Sequence, residues 1–135
     1  MKVLVVDDDL ITRITLEGIL SAYAEVHCCV DGKEAVGEHK SALDRGEPYD
    51  LICMDLLMPV MGGLEALGII RQDEESRGRL RPQAAKVVIT TASDDSDTIS
   101  QAFRALCDAY VVKPIDADQL LDVVHCLFPV EERSV

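Results

Sequence analysis

The sequence predicts an α/β protein, a doubly wound sheet of five parallel strands alternating with five helices, (βα)5. Three observations predict it. Short apolar runs alternate with longer amphipathic segments from one end of the chain to the other. The first, third and fourth of the short runs are apolar without a break, as strands buried on both faces must be. Four of the runs end in charged or hydroxyl residues, the pattern expected where the carboxyl ends of parallel strands meet a ligand. Parallel strands need crossovers, and the intervening helices supply them.

Val3 to Val6 is too short for a helix and stops at Asp7, Asp8 and Asp9, so it reads as the first strand. A helix follows from Leu10 to Tyr23, with Ile11, Ile14, Leu16, Ile19 and Leu20 on one broad apolar face. Val26 to Val30 is the second strand. Asp31 and Gly32 open a polar helix carrying Ala35, Val36, Ala42 and Leu43, which Gly46, Glu47 and Pro48 end. Leu51 to Met54 is the third strand, followed by Asp55, the turn signal Pro59 to Gly63, and a helix marked by Leu64, Leu67 and Ile70. The charged stretch Asp73 to Ala84, with Gly78 and Pro82, reads as a long surface connection. Val87 to Thr91 is the fourth strand, and Ile99, Ala102, Phe103 and Leu106 mark the fourth helix. Tyr110 to Val112 is the fifth strand. Asp116 is placed to cap a last helix striped with Leu120, Leu121, Val124, Leu127 and Phe128. Residues 1–128 form one domain, and 129–135 read as a short frayed tail with no output domain.

With 135 residues and 48% apolar content the chain can fill one core. Its 25 acidic residues against 13 basic ones give a formal charge of −12, a field that repels phosphate backbones and argues against nucleic acid as a direct partner. The apolar run after Lys2 ends at Asp7, too early for a secretory signal, and no stretch has the length of a membrane span. Cys28, Cys29, Cys53, Cys107 and Cys126 contain no C-x-x-C pair. They read as buried thiols of a reducing, cytoplasmic setting. His27, His39 and His125 share no ligand spacing and read as structural or exposed.

The doubly wound frame brings the carboxyl ends of all strands to one edge, so Asp7 to Asp9, Asp55, Thr91 and Lys113 converge there. Gathered carboxylates repel, and Mg²⁺ is the cation that removes the conflict while leaving coordination positions for phosphoryl oxygens. A carboxylate beside such a metal can attack phosphorus, with the metal and a lysine offsetting the charge of the transferring group. Singly, each residue has a plainer reading. Asp7 to Asp9 would cap the first helix, Thr91 would be a β-former, and Lys113 a snorkelling surface charge. Asp55 is different, since a carboxylate inside Leu51–Met58 is costly to bury without a partner.

VLVVDDD at Val3–Asp9, MDLLMPVMGG at Met54–Gly63, TTAS at Thr90–Ser93 and YVVKP at Tyr110–Pro114 together resemble the CheY-like receiver domains of two-component response regulators. The resemblance implies a flavodoxin-like strand order of 2-1-3-4-5. It also implies that Asp55 is the phosphoacceptor, with Asp8 binding Mg²⁺ directly, Asp7 assisting through water and Leu57 offering its backbone carbonyl. Lys113 would pair with the phosphoryl group and precede a cis bond to Pro114. Thr91 and Tyr110 would be the switch residues, acting on a response face made of the fourth helix, fifth strand and fifth helix. The implied donor is a sensor histidine kinase or phosphotransfer domain, docking near Ile11 and Ile14, although both isoleucines also fit a core position. The chain would act on a partner in trans or as a phosphate sink, as a monomer or a phosphorylation-dependent dimer. Its only catalysis would be its own phosphorylation and dephosphorylation. Gly62 stands where an acidic residue is common in the family. Leu57 is apolar and cannot orient an attacking water, which implies slow self-dephosphorylation.

Two rival readings fit these residues less well. A phosphatase of the haloacid dehalogenase type would use Asp7-x-Asp9 but leaves Asp55 and Lys113-Pro114 unexplained. A flavodoxin-like or degenerate-receiver binding module lacks, respectively, the aromatic residues for flavin stacking and any loss among acceptor, acid and lysine.

Overall fold

The computed structural model describes residues 1–80, 82–92 and 95–129. Its elements are β1 (Lys2–Val6), α1 (Leu10–Leu20), β2 (Glu25–Cys29), α2 (Gly32–Asp44), β3 (Leu51–Asp55), α3 (Gly63–Ser76), β4 (Lys86–Thr91), α4 (Ser96–Arg104), β5 (Ala109–Val112) and α5 (Ala117–Leu127). All strand pairs are parallel, and the sheet order is β2-β1-β3-β4-β5, as the resemblance implied.

Four helices begin at an aspartate. Asp9, Asp31, Asp95 and Asp116 each accept a backbone N–H from the first turn of α1, α2, α4 and α5. The exception is α3, which starts at Gly62 without a side-chain cap. Apolar side chains fill two layers. Leu4, Val6, Ile52, Met54, Val87 and Ile89 pack with the buried residues of α2, α3 and α4. Val3, Val5, Leu51, Cys53, Val88 and Val111 pack with those of α1 and α5. β3 is buried along its whole length and β1 from Val3 onward, which accounts for their unbroken apolar sequences.

Several expectations change. α1 stops at Leu20, and its inward stripe is Leu16, Ile19 and Leu20. Ile11 and Ile14 are 68% and 59% exposed, so the core reading of both fails. Only Leu16 and Leu20 of this helix are buried, with Ile19 packed beside them, so its first turn is left to solvent. α3 continues to Ser76, four residues into the stretch read as a connection. Glu74 explains why: it is buried and accepts hydrogen bonds from Arg71 Nη1 at 2.8 Å and from the Ala85 N–H at 2.8 Å. A charge that looks solvated in sequence is here tied to an inward-pointing arginine. Leu106 lies outside α4 at φ 73° and is 54% exposed, a left-handed helix end rather than part of the apolar face. Arg81, Ser93 and the tail from Val130 lie outside the described residues.

Two of the five cysteines also depart from the buried reading. Cys28 on the edge strand β2 and Cys126 on the outer side of α5 are exposed, whereas Cys29, Cys53 and Cys107 are buried. Burial pushes the Cys29 and Cys53 thiols up to about 12 and that of Cys107 up to about 11. Native protein treated with a maleimide is therefore expected to label at Cys28 and Cys126 alone, and all five sites should label in denaturant. Peptide mapping of the labelled protein decides this, and native labelling at Cys53 would contradict the packing.

Candidate functional site

Strand alternation decides which side chains meet. Asp7 follows Val3 and Val5, Asp55 follows Leu51 and Cys53, Thr90 follows Val88, and Lys113 follows Val111, all on the α1/α5 face. The register pairs Val6 with Met54 and Asp55 with Thr90, so these groups also stand at one level along the strands. Thr91 belongs with Val87 and Ile89 on the opposite face, where Tyr110 also packs. Asp55 and Lys113 thus lie on one side of the sheet edge and Thr91 and Tyr110 on the other.

Lys113 Nζ donates to Asp7 Oδ2 at 2.8 Å and to Asp55 Oδ2 at 3.3 Å. The second oxygens are also held: Asp55 Oδ1 accepts the Leu56 N–H at 2.8 Å, and Asp7 Oδ1 accepts the Asp9 N–H at 2.9 Å. Asp7 is fully buried and Asp55 is 7% exposed, while Asp8 faces solvent. One oxygen each from Asp7, Asp8 and Asp55 can be chosen so that all three lie within 4.8 Å of one another. Burial, helped by the charge on Asp7, pushes the Asp55 carboxyl up, against the pull of Lys113. Burial alone would lower the Lys113 ammonium, but its bonds to Asp7 and Asp55 outweigh that and hold it above the ordinary lysine range. A carboxyl with a raised folded-state pKa costs stability at neutral pH and returns it as pH falls through that pKa. An all-oxygen cluster with one solvent-facing member fits a hard divalent cation of the Mg²⁺ type, which keeps part of its water shell. Such a cation would relieve the same conflict without protonation.

Asp9 does not join the cluster. Its carboxylate accepts the Thr12 N–H at 3.1 Å and the Thr12 hydroxyl at 2.7 Å, the helix-cap role. The Asp7-x-Asp9 pair required by the phosphatase reading is therefore not presented to one ligand. Leu57 is 79% exposed at the rim, and the Lys113–Pro114 bond is cis. The loop between β3 and α3 is fixed by backbone contacts: the Gly63 N–H donates to Leu56 O at 2.8 Å, and the Gly32 N–H donates to Met61 O at 3.0 Å. One supporting residue was not legible in the sequence. Arg13 Nη1 donates to the Asp7 carbonyl at 2.8 Å, bracing the turn that carries the acids. Its only sequence signal is a position one helical turn after the cap.

Comparison with known proteins settles the family. The family model described as the response regulator receiver domain matches residues 3–125. This chain belongs to the receiver domain family. Among curated proteins the receiver is 33% identical over 133 residues to hybrid signal transduction histidine kinase G of Dictyostelium discoideum, covering 96% of this chain and 4% of that protein. It is 32% identical over 124 residues to the sensory/regulatory protein RpfC of Xanthomonas campestris pv. campestris, covering 92% of this chain and 16% of RpfC. The receiver therefore spans only a small part of the curated relatives it matches. Among solved structures, the receiver domain of the histidine kinase CKI1 from Arabidopsis thaliana, complexed with Mg²⁺ and BeF₃⁻, superposes with a TM-score of 0.78 at 31% identity, covering 93% of this chain and 88% of that one. The Vibrio cholerae chemotaxis protein CheY4 superposes with a TM-score of 0.80 at 25% identity, covering 94% and 98%.

Proposed function

We propose that Asp55 accepts a phosphoryl group from a phosphohistidine on a kinase or phosphotransfer domain, and that the resulting acyl phosphate resets the face formed by α4, β5 and α5. The observation that carries this reading is the buried Asp55 carboxylate at the sheet edge, joined by Lys113 to Asp7 and open toward Asp8. One Asp55 oxygen forms the bond to phosphorus as the donor's P–N bond breaks, and the donor imidazole leaves with the electron pair. Lys113, already directed at Asp55 Oδ2, follows the new negative charge onto a phosphoryl oxygen. Asp7, Asp8, Asp55 and the Leu57 carbonyl would hold Mg²⁺, which supplies charge neutralisation at the transferring group. Thr91 and Tyr110 are the switch residues in this reading. Thr91 is buried, Tyr110 is half-buried against the α2/α3/α4 layer, and a shift of the first makes room for the ring of the second.

The donor would dock on the apolar rim of the pocket. Leu10, Ile11 and Ile14 of α1 are exposed, as are Leu57 and Val60 beyond β3. Apolar groups flanking a charged pocket suit a partner helix that brings a phosphohistidine to Asp55. Action in trans and a cytoplasmic setting belong to the same reading, and no described helix is long and apolar enough to cross a membrane. In this reading residues 1–128 are the working unit and the protein catalyses chemistry only on itself.

The test is intact mass after incubation with acetyl phosphate and Mg²⁺. A single base-labile phosphoryl adduct on the wild type, absent from Asp55→Asn, is the expected result. An adduct that persists on Asp55→Asn would move the acceptor elsewhere. The exposed Leu57 offers no hydrogen bond to an incoming water, so Leu57→Asn is expected to speed loss of the phosphoryl group by roughly tenfold or more. The decay of the adduct with time measures this, and an unchanged rate would remove Leu57 as the cause of a long lifetime.

A further inference from the structure

Thr90 is fully buried, and its Oγ1 has no hydrogen-bond partner among the described residues. A buried hydroxyl left unsatisfied is costly, so its retention calls for a state in which it is used. Its place suggests which state. The sheet order is β1-β3-β4-β5, so Lys113 at the end of β5 must reach across β4 to touch Asp55 on β3 and Asp7 beyond it on β1. Thr90 is the β4 residue on that face at the level of Asp55, and it is also paired with Val111, two residues before Lys113. The idle hydroxyl therefore stands beneath the path of the lysine side chain.

A divalent cation on the carboxylates repels the ammonium and competes for the oxygens it now holds. Lys113 is only 20% exposed, so bulk water replaces those bonds poorly. A hydroxyl one strand away can accept the displaced N–H while keeping the charge within reach of an incoming phosphoryl oxygen. We propose that Thr90 is a positioning residue for Lys113, its hydroxyl accepting the ammonium when a divalent cation occupies Asp7, Asp8 and Asp55. This rests on the reading of those carboxylates as a cation site.

The test is calorimetric titration of Mg²⁺ into wild type, Thr90→Val, Thr90→Ala and Thr90→Ser, with unfolding of each measured without metal. Thr90→Val is expected to be at least as stable as wild type, because an orphan hydroxyl is gone, yet to bind Mg²⁺ about tenfold more weakly, the order of one hydrogen bond to a charged group. Thr90→Ser should restore the affinity. In a Lys113→Met background the same substitution should leave Mg²⁺ affinity unchanged, since the ammonium it serves is missing. Thr90→Ala carries the comparison if the valine variant folds poorly. Wild-type affinity in both Thr90→Val and Thr90→Ala would overturn the inference and leave the hydroxyl as packing. A wild type that binds no Mg²⁺ would overturn it differently, by removing the cation site itself.

Discussion

Replacing Arg71 by Met is expected to cost about 3–5 kcal/mol of folding stability, the penalty for leaving buried charges without their partner. Arg71 is 9% exposed and makes four contacts that no neighbour can replace. Nη1 donates to Glu74 Oε1 at 2.8 Å and to the Ala85 carbonyl at 2.7 Å, Nη2 to Asp108 Oδ2 at 2.9 Å, and Nε to the Leu106 carbonyl at 3.0 Å. The guanidinium thus ties α3 to the start of β4 and to the turn before β5. Without it the Glu74 and Asp108 carboxylates, 3% and 6% exposed, lose the guanidinium they share and keep only smaller partners, among them His39 and the Ala85 N–H at Glu74 and the Val87 N–H at Asp108. Domains of this size have about 5–15 kcal/mol in total, so the variant is expected to be marginal. Arg71→Lys keeps a charge but loses the planar fork, and an intermediate loss is expected.

The pH dependence of this difference is also set. Burial alone would raise the Glu74 carboxyl, but the bonds from His39, the Ala85 N–H and Arg71 outweigh it and hold it below the ordinary glutamate range. A carboxyl with a lowered folded-state pKa contributes stability above its unfolded pKa and loses it as pH falls through the folded one. The gap between wild type and Arg71→Met should therefore be widest at neutral pH and narrow below the carboxylate range, roughly pH 4. Urea unfolding at the two pH values measures it. A gap under about 1 kcal/mol at neutral pH, the size of a surface ion pair, would show that the network is not the buried one described.

The second large effect is expected at Gly63. A Cβ added there would press on the Asp55 carbonyl oxygen and come within 3.0 Å of Leu56 Cα, both backbone atoms that cannot swing aside. Gly63→Ala is expected to destabilise the fold by roughly 3 kcal/mol, the upper range of overpacking, and, on the proposed function, to slow phosphorylation because the strain falls on the Asp55 peptide. Gly18 is the control. It lies in α1 with nothing within 4 Å of an added Cβ, so Gly18→Ala is expected to stabilise by about 0.5–1 kcal/mol through helix propensity. Thermal melts of both variants and the rate of adduct formation with acetyl phosphate separate the cases. Unimpaired phosphorylation of Gly63→Ala would mean that the β3–α3 turn relaxes without moving Asp55.

The features legible along the chain are local or periodic. Unbroken apolar runs marked β1, β3 and β4, aspartates before helical stripes marked the starts of α1, α2 and α5, and strand ends carrying Asp7, Asp55 and Lys113 marked the edge where the acids meet the lysine. These signals survive because strand pleat, helix period and caps are properties of neighbouring residues. The remaining placements came from contacts between distant segments. The structure showed that Asp9 caps while Asp7 binds Lys113, that Ile11 and Ile14 face out, and that Glu74 lies inside against Arg71. It also set a buried Thr90 beside Asp55 in the strand register. Each of these depends on what a second, distant segment brings to the residue, and charge or apolarity along one chain does not reveal its partner.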